Sequence, residues 1–159
     1  MTPEIVTHPA IQILGMRAQM SYTTYNAAAV WQRFMPRRKE INNSIGNDLY
    51  SIQVFGATYW KQFDPTVSFD KWVGVAVPNT DVIPHDMETL LIPAGLFAVF
   101  TFVGDESKAP AFFEQIYAHW LPNSIYDLDD RPHFEILGDK YKRSDPTSEE
   151  TVWIPIKKR

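Results

Sequence analysis

Cysteine is absent from this chain of 159 residues, so no disulfide, thiolate nucleophile or cysteine-held metal is available to it. The same absence leaves the redox compartment undetermined. No apolar run reaches the roughly 20 residues of a membrane-spanning helix. The longest candidate, Leu90 to Val103, is broken by Pro93 and Gly95. The opening residues Met1 to Ile5 place no basic stretch ahead of an apolar core and do not read as a secretory signal. Positive charge is not in excess either. The net charge is −4, and the closing Lys157-Lys158-Arg159 reads as a solvated tail rather than a nucleic-acid-binding arm. These absences predict a soluble, cytoplasmic protein with no direct DNA binding and no membrane contact.

What is present is apolar and rich in rings. Hydrophobic residues make up 45% of the chain and charged residues 21%, a balance that suits a packed domain and is too apolar for a disordered one. A single domain of this length buries roughly two-thirds of its unfolded surface. Aromatic residues reach 14%, with five Trp and seven Tyr. That exceeds what a core of this size needs and asks where the extra rings go.

Short strand-like runs surround two helix candidates. Alternation predicts strands at Ala10–Met20, Tyr50–Phe55, Phe69–Val77, Met87–Ile92, Leu96–Val103, His133–Leu137 and Thr151–Ile156. Met87–Ile92 and Leu96–Val103 read as partners paired around the turn at Pro93 to Gly95. Ala28, Trp31, Phe34 and Met35 recur at helical spacing within Tyr25–Met35, with Thr23 or Thr24 as the cap and Pro36 as the end. Phe112, Phe113, Ile116, Tyr117, Trp120 and Leu121 trace the apolar stripe of a second helix, with Ser107 as its cap, Pro110 in the first turn and Pro122 as the stop.

The two halves share an order of strand, helix, strand, strand. Thr24 and Lys108, ahead of the two helices, stand 84 positions apart, as do Tyr50 and Phe134. The expectation is one α+β domain over residues 1–159, built from pseudo-repeats at about 1–80 and 81–159 that form one curved antiparallel sheet. Each half has one helix covering part of a small sheet, so joining the halves side by side leaves a central groove between the helices.

A longer pattern is more specific. It comprises Ile92-Pro93-Ala94-Gly95-Leu96-Phe97-Ala98-Val99-Phe100, then Gly104, then Ile116-Tyr117-Ala118-His119-Trp120-Leu121-Pro122-Asn123-Ser124-Ile125-Tyr126. Pro132-His133-Phe134-Glu135 and Ile154-Pro155-Ile156 continue it. Together these resemble the GyrI-like small-molecule-binding family, which includes effector-binding domains of AraC- and MerR-type multidrug-responsive transcription regulators. Phe69-Asp70-Lys71-Trp72-Val73-Gly74-Val75-Ala76-Val77 resembles the matching strand of the family's first half. The resemblance implies two strand-helix-strand-strand units related by a pseudo-twofold, with ligand in the groove between them. It also implies that Glu135 sits at the groove floor and meets cationic ligands. Many members carry Tyr two positions after that Glu, where this chain has Leu137, with Tyr141 further along.

Strand geometry places Glu135 on one face with His133 and Leu137, and Phe134 and Ile136 on the other. If that face lines the groove, the carboxylate is partly desolvated and is best answered by an organic cation, with aromatic faces adding about 0.5–2 kcal/mol each. The alternative is a Glu on a solvent-facing sheet. Trp72 shares its face with Gly74 and Ala76, which leaves room either for a ligand or for a closely packed helix. Trp153 is a candidate groove or surface ring. Tyr117 and Trp120, on the second helix stripe, are core, groove wall or both. Tyr126, Tyr59 and Trp60 are candidates for the rim.

Nothing else carries chemistry. His8, His85, His119 and His133 are scattered without zinc spacing, and Asp127 to Asp130 lacks the pattern of a calcium loop. No nucleophile elbow, phosphate loop or dinucleotide fingerprint occurs, so no metal, cofactor or catalytic residue is assigned. These 159 residues leave no room for the helix-turn-helix reader that regulators of the family carry, so the expectation is the ligand-binding part on its own. The leading expectation is a stand-alone sink or sensor for amphipathic, drug-like organic cations. The alternatives are a hydrolase of electrophilic small molecules using Glu135, and a modulator of a protein partner such as a regulator or topoisomerase.

Overall fold

Alternation of apolar and polar residues turns most of the chain into strands. The computed structural model describes residues 1–159, and nine strands form one open antiparallel sheet. They are β1 (Glu4–His8), β2 (Ile11–Met20), β3 (Leu49–Val54), β4 (Phe69–Ala76), β5 (Glu88–Ile92), β6 (Gly95–Val103), β7 (Tyr126–Leu128), β8 (His133–Leu137) and β9 (Glu149–Lys158). The neighbours run β1-β6-β9-β8-β3-β4-β2-β5, with β7 alongside β9. The short strands β1 and β7 were not among the predicted elements.

Two helices lie on one face. α1 (Ala27–Phe34) follows β2, and α2 (Ala109–Glu114) follows β6. The cap of α1 is Asn26, whose side chain accepts from the Ala29 amide, rather than Thr23 or Thr24. Pro36 does not end the winding. It falls in the first turn of a 3-10 segment, Met35–Glu40, where no backbone donor is needed. Upstream of α2 the capping acceptor is Asp105, which takes the Ser107 amide. α2 continues through a π-helical stretch, Gln115–Trp120, and a last turn, Leu121–Asn123, so Pro122 lies inside the helical run rather than beyond it.

An offset of 84 residues carries β1 onto β5, β2 onto β6 and the start of β3 onto the start of β8. Exchanging each strand for its counterpart, with β4 for β9, reverses the sheet order into itself. The centre falls between β3 and β8, where Ser51 faces Glu135. β5 and β6 do not pair with each other, contrary to the sequence expectation. β5 lies against β2, and β6 lies between β1 and β9. The cause is the connection: Pro93 lacks a ladder donor, and with Ala94 it redirects the chain instead of closing a hairpin.

These connections also bend the sheet. Only Pro9 and Ala10 join β1, at one edge, to β2, beside the opposite edge. Three virtual Cα bonds span at most about 11 Å, so the two edges curve toward each other. The inner face so formed is packed solid by Ile13, Ile52, Trp72, Ile92, Phe97 and Phe134. Where β2 and β4 approach, Gly15 faces Gly74, and a Cβ on Gly74 would sit 2.7 Å from the Leu14 carbonyl oxygen. On the outer face α1 covers a cluster including Leu14, Val30, Phe34 and Val73, while α2 covers one including Phe100, Ile116, Val152 and Ile154.

Candidate functional site

Between the two helix-covered clusters the outer face changes character. Ser51 and Gln53 on β3, Lys71 on β4, Glu135 on β8 and Glu150 on β9 occupy positions where alternation elsewhere supplies aliphatic side chains, and a cavity of about 1060 Å³ opens above them. Tyr22 and Tyr25 after β2 and Trp31 of α1 form one wall. Phe55, Trp60 and Phe63 follow β3, and Phe113 and Tyr117 come from the α2 run. The local reason is the repeat: two helices, each centred on its own half, leave the middle strands uncovered.

The floor is a hydrogen-bonded relay across adjacent strands. Lys71 is only 1% exposed. Its Nζ donates to Ser51 Oγ at 2.7 Å and to Gln53 Oε1, and it lies 5.8 Å from the centre of the Tyr25 ring. Gln53 in turn donates through Nε2 to Glu135 Oε2 at 3.1 Å. The amide orientation follows from its neighbours, because an ammonium can only donate and an ionised carboxylate only accept. The register that places Gln53 opposite Lys71, and Ser51 opposite Glu135, makes the relay possible.

The two carboxyls differ in support. Burial pushes the Glu135 carboxyl above its ordinary range, opposed by the positive charge of Lys71. Glu150 is pushed up to about 7 by burial, then by the Glu135 charge, with Lys71 again opposing. The Glu150 carboxyl has no hydrogen-bond or ion-pair partner within the protein, and with its pKa at about 7 a proton partly occupies it at neutral pH. One cation therefore stands against two carboxyl groups at the floor.

One wall is a stack. Trp60 lies nearly parallel to Tyr117, with ring centres 4.6 Å apart, and to His133 at 5.6 Å. The Tyr117 hydroxyl shares a 2.8 Å hydrogen bond with His133 Nδ1. Burial, then the charge of Arg131, lowers the His133 pKa to about 3, so the imidazole is neutral. Burial raises the Tyr22 and Tyr117 phenols, which remain protonated. The indole Nε1 of Trp60 is buried without a partner.

The residues singled out from sequence divide sharply. Glu135, Tyr117 and Trp60 line the cavity. Trp72 does not: it is buried in the inner face, where the room beside Gly74 and Ala76 is taken by the protein itself. Trp153 belongs to that face too, stacked on Phe134 at 5.3 Å. Tyr59 is turned into the α1 cluster, 4% exposed. Trp120 packs edge-on against Phe100, and Tyr126 stacks on Trp120, both in the cluster beneath α2 rather than in the cavity lining. Leu137 and Tyr141 both line the cavity, so a phenol is present although not at the family's position. Sequence reasoning missed Lys71, Ser51, Gln53 and Glu150. The available signal was alternation in β4, which puts Lys71 on one face with Phe69, Val73 and Val75, an apolar row that a surface lysine would not join.

The family model for the GyrI-like small molecule binding domain matches residues 1–157. The transcriptional regulator BrlR of Pseudomonas aeruginosa is 27% identical over 157 residues, covering 98% of this chain and 56% of the regulator. The chain thus spans about half the length of the curated relative it matches. Among solved structures, SAV2435 bound to tetraphenylphosphonium superposes with a TM-score of 0.71 at 15% identity, covering 99% of this chain and 94% of that one. A hydrolase from Listeria innocua superposes with a TM-score of 0.61 at 13% identity, covering 98% of this chain and 92% of that one.

Proposed function

Because this chain belongs to the GyrI-like small-molecule-binding family, we propose that its cavity captures amphipathic organic cations. The observation that carries this reading is the pairing of Glu135 and Glu150, neither in an ion pair, with the aromatic walls of one cavity. A partly desolvated carboxylate is costly until a cation answers it, and ring faces such as Trp60 and Tyr117 add attraction of about 0.5–2 kcal/mol each. Flat, apolar walls select charge and shape rather than a detailed donor pattern, so a range of ligands fits. The binding of tetraphenylphosphonium by SAV2435 supports the same ligand class, and the regulator BrlR supports a sensing context.

The test is titration of a lipophilic cation and an uncharged analogue of the same shape, followed by tryptophan fluorescence. Glu135→Gln is expected to weaken the cation about tenfold, an effect of about 1.4 kcal/mol, and to leave the analogue unchanged. Equal losses for both ligands overturn the reading.

One observation favours a second reading, hydrolysis of electrophilic small molecules. Glu135 combines an upward-shifted pKa with an open cavity, the properties of a general base that activates water. Product formation that is lost in Glu135→Gln, measured by mass spectrometry, would establish turnover. Ligand recovered intact from the native protein excludes it.

A further inference from the structure

The pseudo-twofold sets unlike groups at equivalent places on the cavity floor. Ser51 faces Glu135 across the central β3–β8 pair. Val73 opposes Ser51 on one side, as Val152 opposes Glu135 on the other. Two residues before each valine, Lys71 and Glu150 occupy corresponding positions. The first half thus contributes Lys71 and Ser51, and the second half contributes Glu150 and Glu135.

The hydroxyl in the first half has a donor to spare. A lysine ammonium has three N–H groups and no acceptor. Two of those groups go to Ser51 Oγ and Gln53 Oε1. Ser51 Oγ is therefore the acceptor in its bond with Lys71, and its own O–H must point elsewhere. No acceptor within the protein takes that O–H or the third N–H of Lys71, although Ser51 is 8% exposed and Lys71 1%. Both residues line the cavity. A buried charged donor without its full complement of acceptors is costly, and a ligand acceptor removes that cost.

We infer that the cavity is built for zwitterionic ligands, whose cationic end meets Glu135 and Glu150 while an anionic or strongly accepting end meets Lys71 and Ser51. This rests on the cation-capture reading and extends it to the other pole of the ligand. Lys71 and Glu150 lie on a diagonal of the floor, three interstrand spacings (about 14 Å) across the sheet and four residues (about 13 Å) along the strands, roughly 19 Å between backbones, and their side chains reach toward the same space. A flat ligand with its two charges on opposite sides of one ring system fits between the two side-chain ends.

A matched pair of dyes tests the inference: a xanthylium cation bearing a free carboxylate, and its ethyl ester, which keeps the cation and loses the anion. Binding is read by fluorescence anisotropy. The native protein is expected to hold the carboxylate form about tenfold more tightly than the ester, the scale of one charge-assisted hydrogen bond. Lys71→Met abolishes that preference, read as the ratio of the two affinities within the variant, whatever the change in the ester's own affinity. Lys71→Gln, which keeps a hydrogen-bonding group beside Ser51 and Gln53, loses the preference in the same way and guards against misfolding of the first variant. Ester binding with no gain for the carboxylate form overturns the inference alone, as does an equal loss of both dyes in Lys71→Gln. Failure of both dyes to bind the native protein overturns the cation-capture reading and this inference with it.

Discussion

On the inner face of the sheet, Trp72, Phe97, Phe134 and Trp153 fill the space between the approaching edges. On the outer face Trp60, Phe63, Phe113 and Tyr117 surround a space that they leave open. Rings therefore do not mark a binding face. What sets the cavity apart is its polar floor: Ser51, Gln53, Lys71, Glu135 and Glu150 gather under one set of rings, whereas the other set packs on apolar residues and meets one paired charge, Arg131, which lies 4.4 Å over Phe97 and is bridged to Asp129. A cavity is maintained where closing it would bury unpaired charges against hydrocarbon, and an aromatic core forms where the one charge present is already paired.

The largest effect expected from this contrast is on stability. Phe134 is fully buried and touches Tyr50, Phe97 and Trp153, so Phe134→Ala should cost about 3–5 kcal/mol in denaturant unfolding. Phe113→Ala, which removes a ring from the open side, should cost less than half as much. Similar losses at both sites would erase the distinction between the faces.

Next comes the pH response of cation binding. Glu150 titrates at about 7, so raising the pH through that value ionises it. Cation affinity should climb severalfold between about pH 6 and pH 8, with proton release on binding. Glu150→Gln should flatten the climb, as followed by calorimetry in buffers of different ionisation enthalpy. Stability moves in the opposite direction. The folded protein holds this proton more tightly than the unfolded chain does, so the contribution is present below the ordinary Glu pKa and is lost as pH rises through about 7. Glu150→Gln should therefore be more stable than the native protein at pH 8, relative to pH 5.

Smaller again is the Tyr117–His133 contact. Tyr117→Phe leaves a buried ring nitrogen without its partner and should cost about 1–2 kcal/mol. His133, with a pKa of about 3, should show no protonation step by NMR between about pH 5 and pH 8. The smallest effect is expected at the exposed Arg17–Glu88 pair, where Glu88→Ala should shift stability by no more than about 0.5 kcal/mol.

Much of the framework was legible from residue spacing. Alternation located seven strands, helical spacing located both helices, and the offset of 84 placed the groove at the junction of the halves. The motif around Glu135 pointed to the face that lines the cavity. Pairing was not legible: Pro93 looked like a hairpin turn, and nothing local told that β5 would lie against β2 and β6 against β1. The rings failed for a related reason. Trp72 and Trp153 alternate as groove residues would, but which face of a strand becomes interior depends on the closing curvature of the whole sheet. Lys71 is hard to read because a lysine in a strand is ordinarily solvated, and only its place in the otherwise apolar row of Phe69, Val73 and Val75 marks it as buried.

The placement of the two short leading strands has a consequence for how the molecule comes to be folded. β1, from the first half, is held by β6 of the second, and β5, from the second half, is held by β2 of the first. Each half lends the other its edge. Neither can complete its own sheet alone, and the chain must bridge long sequence separations before either is finished, the hallmark of slow assembly. A cut between β4 and β5 would yield two fragments that recover the native sheet only when mixed.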